Sequence, residues 1–343
     1  MAPVTSSAGQ PIRMPLLDGM RTMAALAVMA CHVQIFFPDF RNFTRAYLFV
    51  DFFFLLSGFI LSQVAEPRFR AGLSAKIFLE ARWRRLFPAA AFGTIVGMGI
   101  FASSNSISVV TLYAILSLLL VPTPFYRLSP YPLNPVLWSL AMELVANAAH
   151  VLIFRYLSVK SLIFICVTAG GALIYLIFSL GKNDFPEDAF SWPLALARVA
   201  FAYTLGIIIA RGHEARMARF KLRNDWIGAA IMPLLAVLAL PLLPIGVAAG
   251  DSLVTLMILP VAFFWATSVR IPEGVATKLT AAGAISYPLY AVHFPILDVV
   301  SRWNDGAVGL TMAIVLSLGL AAMLARVVEQ RKVRLPLRGS ALA

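Results

Sequence analysis

Arg21 and His32 lie eleven residues apart in LDGMRTMAALAVMACH. At about 100° per residue, that offset is about 20° past three full turns, so on a helix the two share one face about 16 Å apart along the axis. An imidazole abstracts or relays a proton near neutral pH, and a guanidinium holds phosphate or carboxylate oxygens. The pair also fits a blander use, an interfacial anchor and a histidine bonded to a neighbouring helix.

Three other apolar stretches carry polar groups in register. In VDFFFLLSGFILSQ, Asp51, Gly58 and Ser62 share a face. Asp51 falls at a depth close to that of His32, as a carboxylate orienting an imidazole would. In LNPVLWSLAMELVANAAH, Ser139, Glu143, Asn147 and His150 fall within an arc of about 80°, with Trp138 on another side. Such a stripe is either interhelical hydrogen-bonding glue or part of a site. In ISYPLYAVHFPILD, Ser286, Tyr290 and His293 share a face, and Pro288 and Pro295 bend it. His293 fits a hydrogen-bond partner, a proton relay or packing, while Asp298 points elsewhere and is expected to pair with Arg198. The stretch EPRFRAGLSAKIFLEARWRRLFP holds six bases and two acids. It reads as a topology signal or as a grip on a phosphorylated ligand through Arg82, Arg84 and Arg85.

The elements that position these groups must be membrane helices. The chain of 343 residues is 60% hydrophobic and 13% charged, with a mean hydropathy of +0.85. An ordinary globular domain carries about 25% charged residues, so soluble, disordered and disulfide-stapled classes are excluded. Apolar stretches suited to crossing a bilayer fall at 16–37, 47–65, 86–102, 136–154, 161–180, 192–210, 226–243, 251–269, 283–301 and 308–328. The stretch 107–121 fits an eleventh crossing or a helix near the surface, and charge decides. Without it, the cytoplasmic face holds 22 bases against five outside, with Arg198 inside a span; counting it inverts the later loops. The expected fold is therefore an all-α polytopic membrane helix bundle. It has about ten transmembrane helices, both termini cytoplasmic, and an interfacial or re-entrant helix near 107–121. The domain plan is a loose tail over 1–13, one transmembrane domain over 14–330 and a basic tail over 331–343.

No Walker A loop, dinucleotide fingerprint, HExxH or CxxC occurs, and the four histidines are widely separated. No metal, bound cofactor or nucleic acid is expected. The ordered set LDGMRTMAALAVMACH, VDFFFLLSGFIL, ARWRRLFP, LWSLAMELVAN and ISYPLYAVHFPI resembles the membrane acyltransferase-3 family over residues 16–298. AMEL carries one acid where many members have two, leaving Glu143 alone, and the hydrolase-like domain fused to some members is not expected after the tenth span.

The resemblance implies an O-acyltransferase of the bacterial inner membrane. It would move an acyl group, often acetyl, from cytosolic acyl-CoA to a hydroxyl of a glycan, lipid-linked sugar or other acceptor at the outer side, amid membrane lipids. His32 would be the general base or acyl carrier, with Asp51 or Glu143 setting its tautomer. Arg21, Arg82, Arg84 and Arg85 would hold the donor, and Trp138, Ser139, Tyr290 and His293 would support the acceptor. The alternatives are a secondary transporter of a polar or anionic small molecule, which would also bury Asp, Glu, Arg and His, and a noncatalytic assembly partner.

Overall fold

The computed structural model describes residues 14–40, 44–125, 129–188, 190–213, 215–216 and 224–334. The tail expected over 1–13 lies outside them. So does most of the tail expected over 331–343, although the last helix continues to Arg334. The described regular elements are helical: α1 (Pro15–Phe36), α2 (Phe49–Arg70), α3 (Ala75–Phe101), α4 (Ile107–Leu118), α5 (Leu137–Leu152), α6 (Val159–Leu180), α7 (Ala195–Arg211) and α8 (Trp226–Ala239). They are followed by α9 (Val247–Leu253), a π turn (Val254–Ile258), α10 (Leu259–Ala266), α11 (Glu273–Ser301) and α12 (Ala307–Arg334).

Local chemistry sets several of the ends. Pro15 opens α1 at a position where its missing N–H costs nothing. The Ser158 hydroxyl accepts from the Ser161 N–H to cap α6, which stops at Gly181 with φ +81°. Within α11, Pro295 has no N–H for the Ala291 carbonyl, and Asn134 Nδ2 donates to that carbonyl instead at 2.8 Å.

Eight helical stretches are long and apolar enough to cross a membrane: 15–36, 46–70, 137–156, 159–180, 192–211, 247–266, 273–301 and 307–327. The shorter 226–242 and the apolar second half of α3 fill the other two expected places. The first half of α3 makes the basic stretch helical. At 12 residues, α4 is about 18 Å long, well short of a hydrocarbon core of about 30 Å.

Helix polarity gives an independent account of α4. Asp51 meets Arg198 and Glu66 meets Arg211, so α2 and α7 run parallel. Ser57 reaches Glu143 and Glu66 lies beside His150, so α5 is parallel to α2 as well. Had both α3 and α4 crossed, α5 would run against α2. In the opposite direction, α1 and α3 each run parallel to α11, the first through Arg21 to Ser286 and His32 to His293, the second through Leu86 to Tyr287 and Gly93 to Ala291. The chain is thus an all-α polytopic membrane bundle with α4 lying outside the crossing set.

Candidate active site

Arg21 is anchored by α11. Its Nε donates to Ser286 Oγ at 2.8 Å and its Nη2 to the Gly283 carbonyl at 2.6 Å, with Asp18 at 3.3 Å. Close approach permits this, since a Cβ on Gly283 would meet the Asp18 side chain. The guanidinium borders a cavity of about 90 Å³ that also receives Arg82 and Arg85 from α3, Glu143 and Ser139 from α5, Ser57 from α2, and Tyr287 and Tyr290 from α11. Ser57 Oγ donates to Glu143 Oε1 at 3.5 Å.

A second groove, of about 300 Å³, lies between the end of α2 and the start of α3. Arg82 and Arg85 border both spaces, and Arg68 and Phe78 line the groove alone. Arg84 does not join them. A residue two positions from Arg82 turns about 200° around the helix, whereas Arg85 returns to within about 60°. Arg84 is exposed and paired with Glu80 at 2.6 Å, which corrects its expected grouping with the other two.

The imidazoles of His32 and His293 meet nitrogen to nitrogen, Nδ1 to Nε2, at 2.8 Å, and His293 Nδ1 lies 3.1 Å from the Leu289 carbonyl. Neither histidine borders the cavity around Arg21. Tyr290 reaches both: it lines that cavity, meets the Phe53 ring edge-on at 5.4 Å and lies 5.8 Å from the His293 ring. Arg21 and His32 both turn toward α11, as their shared helix face predicts, and Tyr290 of α11 touches the surroundings of each. Ser139 Oγ donates to the Val136 carbonyl at 3.0 Å, so its bond to Tyr290 at 2.7 Å uses the tyrosine proton.

Asp51 is not the partner of His32. Its oxygens accept from Arg198 Nε at 3.1 Å and Nη2 at 3.0 Å, because the first turn of α2 faces α7. Asp298 pairs instead with Arg302 one turn on, at 2.7 Å, so the expected pairing of Asp298 with Arg198 is also corrected. Trp138 lies under the Arg198 guanidinium, 5.4 Å from ring centroid to Cζ. Further along α5, Asn147 is fully buried with no hydrogen-bond partner among the described residues, and His150 lies 3.4 Å from Glu66.

Several groups escaped the reading of spacing. Asn183 donates from its side chain to Asp51 and from its backbone to Asp251, and Asp251 also accepts from Tyr47. Asp251 is the one acid in the apolar run 247–266 and could have been found as an intramembrane carboxylate. Asn183 sits in a loop and gave no periodic signal.

A family model for an acyltransferase domain matches residues 15–326. The chain is 32% identical over 163 residues to protein 2 of the picA locus of Rhizobium radiobacter, an alignment covering 42% of this chain and 84% of that one. It is 37% identical over 86 residues to the acyltransferase MdmB of Streptomyces mycarofaciens, covering 22% of this chain and 21% of the relative. Against the putative peptidoglycan O-acetyltransferase YrhL of Bacillus subtilis it is 33% identical over 144 residues, covering 38% and 22%. The chain thus spans about a fifth of the length of these last two. No solved structure matches.

Proposed function

Because the chain belongs to the acyltransferase-3 family and is a membrane O-acyltransferase, we propose that its donor is cytosolic acyl-CoA, with acetyl as the acyl group, and its acceptor a glycan hydroxyl at the outer side of the inner membrane. The observation that carries this reading is the shared lining of the two spaces: Arg82 and Arg85 border both the groove and the cavity. A donor with an anionic head and a slim thioester arm suits that shape. The phosphates would lie against Arg68, Arg82 and Arg85, since a guanidinium fork matches phosphate oxygens. The arm would enter beside Arg21 and Glu143.

A thioester is already activated, so the remaining work is to take the proton from an acceptor hydroxyl and to stabilise the oxyanion that forms. His32 is the proposed base. The sequence count of 22 bases on one face against five on the other supports a cytoplasmic face there and a donor arriving from it. A glycan acceptor is the reading suggested by the name of YrhL, a putative peptidoglycan O-acetyltransferase.

The test is transfer of labelled acetyl from acetyl-CoA into alkali-labile envelope material, in membranes carrying the full chain. Wild-type membranes are expected to transfer label and His32→Ala membranes to lose about 10²-fold or more, the usual size of a general-base effect. A folded His32→Ala chain that transfers at the wild-type rate removes His32 from the chemistry.

A further inference from the structure

We infer that His293 is a positioning residue: it fixes the proton of His32 on Nδ1 and so makes Nε2 the atom that receives the acceptor's proton. The inference rests on the acyl-CoA reading above and names a second residue and a specific atom within it.

The assignment follows from counting protons along three groups. The Leu289 carbonyl can only accept, so the bond it makes to His293 at 3.1 Å requires a proton on His293 Nδ1. A neutral His293 then has a bare lone pair on Nε2. That lone pair faces His32 Nδ1 at 2.8 Å, and a bond there requires the His32 proton to sit on Nδ1. His32 Nε2 is left as the unprotonated nitrogen. Ring geometry agrees with a hydrogen bond rather than a face-to-face stack: the planes differ by only 20°, and centroids 5.1 Å apart suit two rings meeting head-on through nitrogens 2.8 Å apart.

The carbonyl that starts this chain is held in place by the fold. Leu289 and His293 are one turn apart on α11, between Pro288 and Pro295, and the Ala291 carbonyl midway between them is tied to Asn134. His293 is fully buried, whereas His32 is half-buried. Among the described residues no carboxylate bonds to either ring, so the orienting task that the sequence pointed toward Asp51 or Glu143 falls to a second imidazole.

The acceptor oxygen bonds to the thioester carbonyl carbon while its proton passes to His32 Nε2. The C–S bond then breaks, and the departing sulfur takes that proton and leaves as the thiol. During the interval His32 is an imidazolium whose Nδ1–H still donates to His293, which places the transient charge over a hydrogen-bond acceptor.

The experiment compares His293→Leu and His293→Gln in the full chain, with acetyl-CoA as donor and alkali-labile label as product. Gln places an oxygen acceptor near the position of Nε2, and Leu fills the space without one. We expect His293→Leu to lower kcat by about 100-fold with KM for acetyl-CoA unchanged, and His293→Gln to recover at least about tenfold of that loss, in line with other groups that orient a histidine. Matched thermal midpoints for the two variants separate this outcome from general damage. His293→Leu at the wild-type rate, or His293→Gln no better than Leu at equal stability, overturns the assignment while leaving the donor reading intact. A wild-type chain that transfers nothing from acetyl-CoA overturns the donor reading and the assignment together.

Discussion

Arg198 grips Asp51 at both carboxylate oxygens, at 3.1 and 3.0 Å, with the two side chains 1% and 2% exposed. The guanidinium also donates to the Phe185 carbonyl at 2.7 Å, and Asn183 adds a third bond to the carboxylate. A carboxylate held this way is committed. It joins α2, α7 and the segment after α6, and it has no geometry for moving protons at His32.

Removing one member of that pair strands a buried charge, which costs about 3–5 kcal/mol. Arg198→Ala is expected to lower the folded fraction recovered in detergent and the thermal midpoint sharply. The double variant Arg198→Met with Asp51→Leu should recover most of the loss, because neither charge is then left alone. If Asp51→Asn keeps wild-type stability yet loses transfer more than about 100-fold, a size expected of acid–base groups, the carboxylate acts in the chemistry after all.

The α2 and α7 contact rests on two glycines. A Cβ on Gly58 would overlap the Tyr203 carbonyl, and one on Gly206 would overlap the Leu55 carbonyl, so each helix needs a bare position where the other's backbone comes closest. Backbone cannot swing aside as a side chain can. Gly58→Ala is therefore expected to cost about 1–3 kcal/mol, the usual scale of overpacking, read as a lower thermal midpoint. Gly99→Ala in α3 is the control, since a Cβ there meets nothing within 4 Å.

Helix periodicity carried the fold and much of the cavity. Arg21, Glu143, Ser139 and Tyr290 were legible because an ionisable or polar residue on an apolar helix is costly, and spacing says which of them share a face. Spacing does not say which helix that face meets. Asp51 was matched with His32 by depth alone, but α2 turns its first residues toward α7 while α1 turns His32 toward α11. The same gap hid Arg84, whose side of α3 is set by rotation within one cluster, and Asn183, whose loop has no period at all.

Tyr290 lines the cavity and packs beside the histidine pair, and two variants test its hydroxyl and its ring apart. Ser139 keeps a partner in the Val136 carbonyl when the tyrosine hydroxyl is removed. Tyr290→Phe should accordingly cost no more than about 1.5 kcal/mol of stability, the upper range for one neutral hydrogen bond. Tyr290→Ala removes the ring that faces Phe53 and His293. The space left joins the cavity that would hold the thioester and admits water to it, so hydrolysis of acetyl-CoA in detergent is expected to rise while transfer to envelope material falls. Unchanged hydrolysis in a folded Tyr290→Ala chain argues that the ring does not exclude water from the thioester.

Three arginines in four residues of α3 give a sharp internal comparison. Arg82 and Arg85 border the cavity and the groove, whereas Arg84 is exposed and bonded to Glu80. A hydrogen bond to a charged group contributes about 1.5–3 kcal/mol, so Arg82→Ala and Arg85→Ala are each expected to raise KM for acetyl-CoA by about 10- to 100-fold. Arg84→Ala should leave KM within about twofold, because an exposed pair contributes little. Arg82→Lys should fall between, keeping the charge but losing the forked geometry. Added salt should weaken donor binding in the wild type more than in Arg82→Ala, since the variant has one phosphate contact fewer to screen. Equal effects at positions 82 and 84 would mean that total charge attracts the donor and that the shared border between the two spaces has no part in holding it.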